Sequence, residues 1–271
     1  MNRGLLAKTI HEIGLATLIF GVGLGAAEGL LAYVFPWLFT TYADQILKLP
    51  LVQPIIGGFL GTGSVDSLGA EAVQSFAWVH PLVLALLWGH AIWFCTRVPA
   101  GEIDRGTIDL LLSLPASRLA VMINEAVVCA ASGLVLAGLA LAGNLLGTTL
   151  ATGVPPGGLA TRLAIAVNMY ALFLAVAGMT SFVSASSDRR GRAVGTALAV
   201  VLASFLLNFL AQFWRPAHPL GVASLLDYYR PLEITRSGRW PVRDTGTLLA
   251  FAAVCWAAAV LVFRSRDLRT V

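Results

Sequence analysis

Gly101-Glu102-Ile103-Asp104-Arg105-Gly106-Thr107-Ile108-Asp109-Leu110-Leu111-Leu112-Ser113-Leu114-Pro115-Ala116-Ser117-Arg118 is the longest stretch of this chain with helical patterning that is not simply apolar. Apolar runs of about residues 76–96 and 119–141 flank it, each long enough to cross a bilayer. A charged helical stretch between two such runs reads as an elbow at the membrane surface. Ile103, Leu110, Leu111 and Leu114 fall on one side of its helix, and Glu102, Arg105, Asp109 and Ser113 on the other. Arg105 and Asp109 are four apart and can pair, which is worth only ~0.3–0.5 kcal/mol. Pro115 ends the helix, because the residue before a proline avoids helical geometry. Ser117 can then cap the next one.

The rest of the chain agrees with repeated crossing. It has 271 residues, 58% hydrophobic and 12% charged, whereas soluble domains carry about 25% charged residues. That composition excludes an ordinary soluble domain. The 18 Lys and Arg lie in short loops between apolar runs, which excludes a nucleic-acid footprint. Cys95, Cys129 and Cys255 all sit in apolar segments without a C-x-x-C, so they read as packing residues rather than a disulfide framework or metal site. The N-terminus does not read as a signal peptide.

The chain reads as one all-α polytopic membrane domain over residues 1–271, with six transmembrane helices. Residues 1–13 have Leu6, Ile10 and Ile13 on one face and Lys8, His11 and Glu12 on the other, which fits an amphipathic helix on the membrane surface. The spans expected are 14–35, 76–96, 119–141, 159–183, 193–214 and 245–263, with the elbow helix over 99–115. In the first span Gly21, Gly25 and Gly29 form overlapping G-x-x-x-G pairs, where another helix can approach closely. The apolar run 49–60 is short and broken by Pro and Gly, so it reads as interfacial or re-entrant. Eleven Arg and Lys fall on the side of the termini and the elbow, and seven on the other, mostly in the 215–244 connection. The excess places both termini and the elbow in the cytoplasm.

Glu28 is the acid that reads as deep in a span. A charge there costs ~2.5–3.5 kcal/mol on insertion scales, so it is protonated, paired or facing water. It is either a transport-pathway group facing a cavity on the dimer side, or a group near the outer interface bonded to a neighbouring helix. His80 and His90 are ten apart, nearly opposite around a helix, and no H-E-x-x-H occurs; no metal site is expected. Asn144, Asn168 and Asn208 read as interhelical hydrogen bonders. Tyr228, Tyr229 and Trp240 read as interface anchors.

The segment Gly106–Arg118 resembles the first cytoplasmic loop of ABC-2 type permeases: Gly-Thr, an acid, a leucine run, Pro, a small residue, Ser and Arg. Residues 1–13 resemble that family's connecting helix, Ser184–Leu198 its second cytoplasmic loop, and Phe263–Leu268 its ending. Asp109 stands where Glu is commoner, and Asn124-Glu125 where Gly-Lys is common. The resemblance implies an inner-membrane half-transporter that pairs with a second copy or a paralogue. A separate ATP-binding subunit, holding ATP and Mg, would drive it. The elbow would be the coupling helix, touching that subunit through Glu102, Ile103, Arg105, Asp109, Leu110, Leu114 and Arg118. Neither Lys8 nor Lys48 follows a glycine, so no P-loop lysine is available in this chain.

The leading expectation is therefore the permease of an ATP-driven exporter rather than an enzyme, with membrane lipids and the ATPase as partners. The alternative is a proton-coupled secondary transporter using Glu28, although the internal repeat usual in such folds is not visible. A membrane-embedded hydrolase would need a nucleophile–base or metal constellation, and no such spacing is seen.

Overall fold

A computed structural model of the chain describes residues 3–46, 49, 52–60, 69–113, 117–151 and 157–266. Its regular structure is helical, with no strand among the described residues. The helices are α1 (Arg3–Ile46), α2 (Val52–Leu60), α3 (Ala70–Val79), α4 (Pro81–Cys95), α5 (Glu102–Asp104), α6 (Ile108–Leu112), α7 (Arg118–Leu150), α8 (Leu159–Ala185), α9 (Arg190–Phe213), α10 (Pro231–Ser237) and α11 (Val242–Ser265). A kinked segment, Arg97–Gly101, with Val98 extended at φ −130° and ψ 131°, links α4 to α5, and two 3-10 segments, Arg215–Ala223 and Leu225–Tyr228, precede α10. Six segments are long and apolar enough to cross a membrane: Arg3–Tyr42, Ala70–Cys95, Arg118–Leu150, Leu159–Ala185, Arg190–Phe213 and Val242–Ser265.

The first of these differs from the sequence reading. No break separates an amphipathic helix from a first span; α1 runs unbroken for 44 residues. At 1.5 Å per residue that is about 66 Å, roughly twice a 30 Å hydrocarbon core. Gly14 has open space around it, and one helical glycine costs only about 1 kcal/mol. Pro36 lies inside the helix, where packing on both sides holds it. Phe35 and Phe39 meet the Phe76 ring of α3 at centroid distances of 4.8 and 6.0 Å. Near the N-terminus the inward face is Leu5, Thr9 and Ile13, while Ile10 is 52% exposed.

α1 packs along α7, and α8 along α11. The glycine stripe sets the first pairing. A Cβ placed on Gly143 would overlap the Gly25 carbonyl oxygen, and one on Gly147 the Gly29 carbonyl oxygen. Gly143 and Gly147 thus belong to α7 and not to a connection. Ser117 accepts from the Ala120 amide at 3.1 Å, the cap its position implies.

α8 is the central post. Of its most apolar stretch 83% is buried, against 17% in α9 and 22% in α11. The last two turn Leu202, Leu206 and Leu210, and Val254 and Leu261, outward, as helices facing lipid do. At the end of the bundle away from the elbow, the 3-10 segments and α10 form a cap. Tyr229 is not an interface anchor: it is buried, and its hydroxyl donates to the Trp78 carbonyl at 3.1 Å. Burial pushes that phenol up, so it stays a donor. Asn168 bridges elements as expected, donating at 3.2 Å to the Tyr228 carbonyl and to the Thr245 hydroxyl.

Candidate functional site

The elbow is not one continuous helix. Gly106 takes φ +68°, the left-handed geometry that suits glycine and ends a helical turn. The three-residue α5 and five-residue α6 lie on either side of it. Because Gly106 resets the helical phase, the two faces expected from periodicity are redistributed. Glu102, expected at the surface, is 8% exposed. Its carboxylate accepts from Arg105 Nη2 at 2.7 Å and from the Thr107 hydroxyl. Arg105 therefore pairs with Glu102 and not, among the described residues, with Asp109. Leu110, on the apolar side by periodicity and in the contact set expected from the resemblance, is 70% exposed, and Asp109 beside it is exposed too. Ile108 replaces it inward, in a small core with Leu5, Val98, Val121, Met122, Ala185, Ala259 and Phe263. Ile103 packs half-buried against that core. Leu114 lies outside the described residues.

Arg118 has an internal role. Its Nη1 donates to the Phe263 and Arg266 carbonyls at 3.1 and 2.7 Å, and its guanidinium lies 5.6 Å from the Phe263 ring centroid. It closes the C-terminal end of α11, where unpaired carbonyls carry the negative end of the helix dipole. Arg266 in turn donates to the Ala185 and Ser187 carbonyls at 3.0 and 3.1 Å and pairs with Asp188.

Beneath the elbow lies a buried polar node that the sequence did not announce. Arg97, the first residue of the kinked segment, points its guanidinium into the bundle. Nη2 donates to Glu125 of α7 at 2.6 Å, and Nη1 pairs with Glu12 of α1. The Thr9 hydroxyl donates to the other Glu125 oxygen at 3.0 Å, and Asn124 Nδ2 donates to Thr9 at 3.0 Å. The Phe94 ring lies 5.5 Å from the guanidinium carbon. One planar cation thus joins three elements, which a guanidinium fork does better than an ammonium. Next to the node the Cys95 and Cys129 sulfurs approach to 3.7 Å.

The other side of the elbow is fastened to the second loop. The Ala100 amide donates to Ser184 Oγ at 3.2 Å, and the Arg190 amide donates to Asp104 Oδ2 at 3.2 Å. Arg190 Nη2 reaches the Trp93 carbonyl at 3.3 Å. Asp104 thereby meets an open amide at the start of α9 from a neighbouring segment. The elbow is a rigid plate bonded to α1, α7, α8 and α9, with Arg105, Asp109 and Leu110 left facing out.

Glu28 is not part of this plate. It is fully buried, 3.5 Å from Asn144 Nδ2, and its Oε1 has no partner. It lines neither the cavity beside Phe59 and Phe209 nor the one beside Gly25 and Gly147. That placement does not favour the proton-coupled alternative. His90 is held by the Thr17 hydroxyl at 3.1 Å. Among the described residues no group of three His, Cys, Asp or Glu is placed to hold a metal ion.

A family model described as ABC-2 family transporter protein matches residues 39–268. The chain belongs to the ABC-2 transporter family. The match takes in the elbow, the second loop and five of the six spans. As an ABC-2 member the chain is a membrane component of transport, in a family that works with ATP-binding subunits. No curated protein matches the chain.

Proposed function

We propose that this ABC-2 chain is the permease subunit of an ATP-driven exporter in the inner membrane, with both termini and the elbow in the cytoplasm. It acts with a second copy or a paralogue, and a separate ATP-binding subunit supplies the energy. ATP and Mg bind in that subunit. The observation that carries the reading is the exposed apolar Leu110, beside Asp109, on a plate bonded to four spans. An exposed leucine between charges on a rigid support suits docking to a soluble partner. The contact set is Arg105, Asp109 and Leu110, with Ile103 behind them. Glu102 and Arg118 hold the plate in shape.

The cycle follows from the bonding. Closure of the ATP-binding subunits pushes the plate. Through Arg97 the push reaches α1 and α7, and through Ser184 and Asp104 it reaches α8 and α9. The spans then shift as packed blocks between inward-open and outward-open arrangements.

The experiment is purification of the tagged chain from its own membranes, scoring bound ATPase activity and a co-purifying P-loop subunit. Leu110→Asp combined with Asp109→Arg removes both, while the amount of folded chain in the membrane stays the same. Full retention of the ATPase by that variant overturns the docking assignment.

A further inference from the structure

A cavity of 740 Å³ lies at the end of the bundle opposite the elbow, lined by α2, α9, α10 and the 3-10 segments. Pockets of about 300–1,000 Å³ enclose single small molecules. Its floor is apolar: Phe59, Leu84, Phe205 and Phe209.

One wall is unusual for a helix of the membrane. Phe205, Asn208, Phe209 and Gln212 of α9 all line the cavity, a spacing that puts them on one helical face. Asn208 thus departs from its expected role as an interhelical hydrogen bonder. Neither the Asn208 nor the Gln212 side chain makes a hydrogen bond among the described residues. Two amides without a protein partner face this space, where the polar part of an occupant can bond them.

The rim is charged in two parts. Arg230 serves two carboxylates, Asp227 at 3.6 Å and Glu233 at 3.2 Å, which leaves that cluster one negative charge in excess. Arg236, three residues past Glu233, also lines the cavity and has no ion pair among the described residues. The rim therefore offers a free cation and, separately, an excess anion.

We propose that this cavity binds a single-chain amphiphile whose headgroup carries both charges, its tail on the phenylalanine floor and its anionic group at Arg236. The cationic group of the head meets the Asp227–Arg230–Glu233 cluster, and the amides of Asn208 and Gln212 bond the polar junction between head and tail. That such a ligand is cargo rests on the permease reading above; the binding itself does not.

The test uses the full chain in phospholipid nanodiscs without any ATP-binding subunit. The probe is a lysophosphatidylcholine with a photoactivatable diazirine in its acyl chain. The expected result is saturable labelling of the α9 peptide around Phe205–Gln212. Unlabelled lysophosphatidylcholine competes about tenfold better than a monoacylglycerol or a lysophosphatidic acid of the same chain. Arg236→Glu, at an exposed position without an ion pair among the described residues, lowers labelling at least about fivefold, and so does Asn208→Leu with Gln212→Leu. Equal competition by the three lipids overturns the proposal. So does labelling that both variants leave unchanged, or labelling spread evenly onto the outward face of α11. The co-purified ATPase is unaffected by these variants, so failure here and failure of the docking assignment are told apart.

Discussion

Arg97→Leu destabilises the folded chain by about 3–5 kcal/mol, the cost of leaving a buried charge without its partner. The Arg97 side chain is 9% exposed and that of Glu125 11%, so water does little to replace the lost cation. Glu12, at 37%, keeps solvent and Lys8 and adds little to the cost. Arg97→Lys recovers only part of the loss, because one ammonium cannot fork between Glu12 and Glu125. Arg97→Leu with Glu125→Leu recovers most of it, since removing both charges removes the penalty. That double variant still couples poorly, because the plate no longer grips α1 and α7 through a shared cation. The unfolding midpoint in detergent checks the first part, and transport per ATP hydrolysed checks the second. An Arg97→Leu midpoint no lower than that of Arg236→Leu, at an exposed site without an ion pair among the described residues, would remove the node from the account.

Gly143→Ala separates α1 from α7 and costs about 3 kcal/mol, the upper part of the usual overpacking range. Most small-to-large changes meet side chains that can move aside. Here the added methyl meets the Gly25 carbonyl, and the same change at Gly147 meets that of Gly29, so a whole helix has to shift. Gly138, also on α7, has nothing within 4 Å of its added carbon. Gly138→Ala therefore gains stability, by up to about 1 kcal/mol. Thermal unfolding of the two variants beside the parent checks the contrast. Equal midpoints would mean that the stripe does not hold the helices together.

Much of this was legible because it depends on local chemistry. Six apolar runs give six spanning segments, and the G-x-x-x-G stripe of α1 announces a close helix neighbour. Its counterpart, Gly143 and Gly147, falls outside the expected spans 119–141 and 159–183, because glycines beside a Pro-containing loop look like a turn. Only the facing stripe in space shows them to be contact residues. The elbow's sequence was legible as an elbow, but its faces were not. Counting periodicity through Gly106 assumes a helix that a left-handed residue stops. Glu102 turns inward for that reason, while Leu110 faces out.

The node was illegible for a different reason. Thr9 and Glu125 are 116 residues apart, and no local period joins them. The available signal was an unmatched pair of facts: an acid seven residues into α7 and an arginine just past the end of α4. Each alone reads as a surface charge. Asn208 shows the converse. An amide inside a span implies a polar partner, but not whether the partner is protein or something held in a cavity.

The most direct measurement of the central claim is photocrosslinking from two exposed positions, 110 and 222, with benzoylphenylalanine in place of Leu110 or Val222. Both side chains are more than half exposed, at 70% and 63%, and they lie at opposite ends of the bundle. The account predicts a crosslink to the ATP-binding subunit from position 110 and none from position 222. A crosslink from 222 with none from 110 would contradict it.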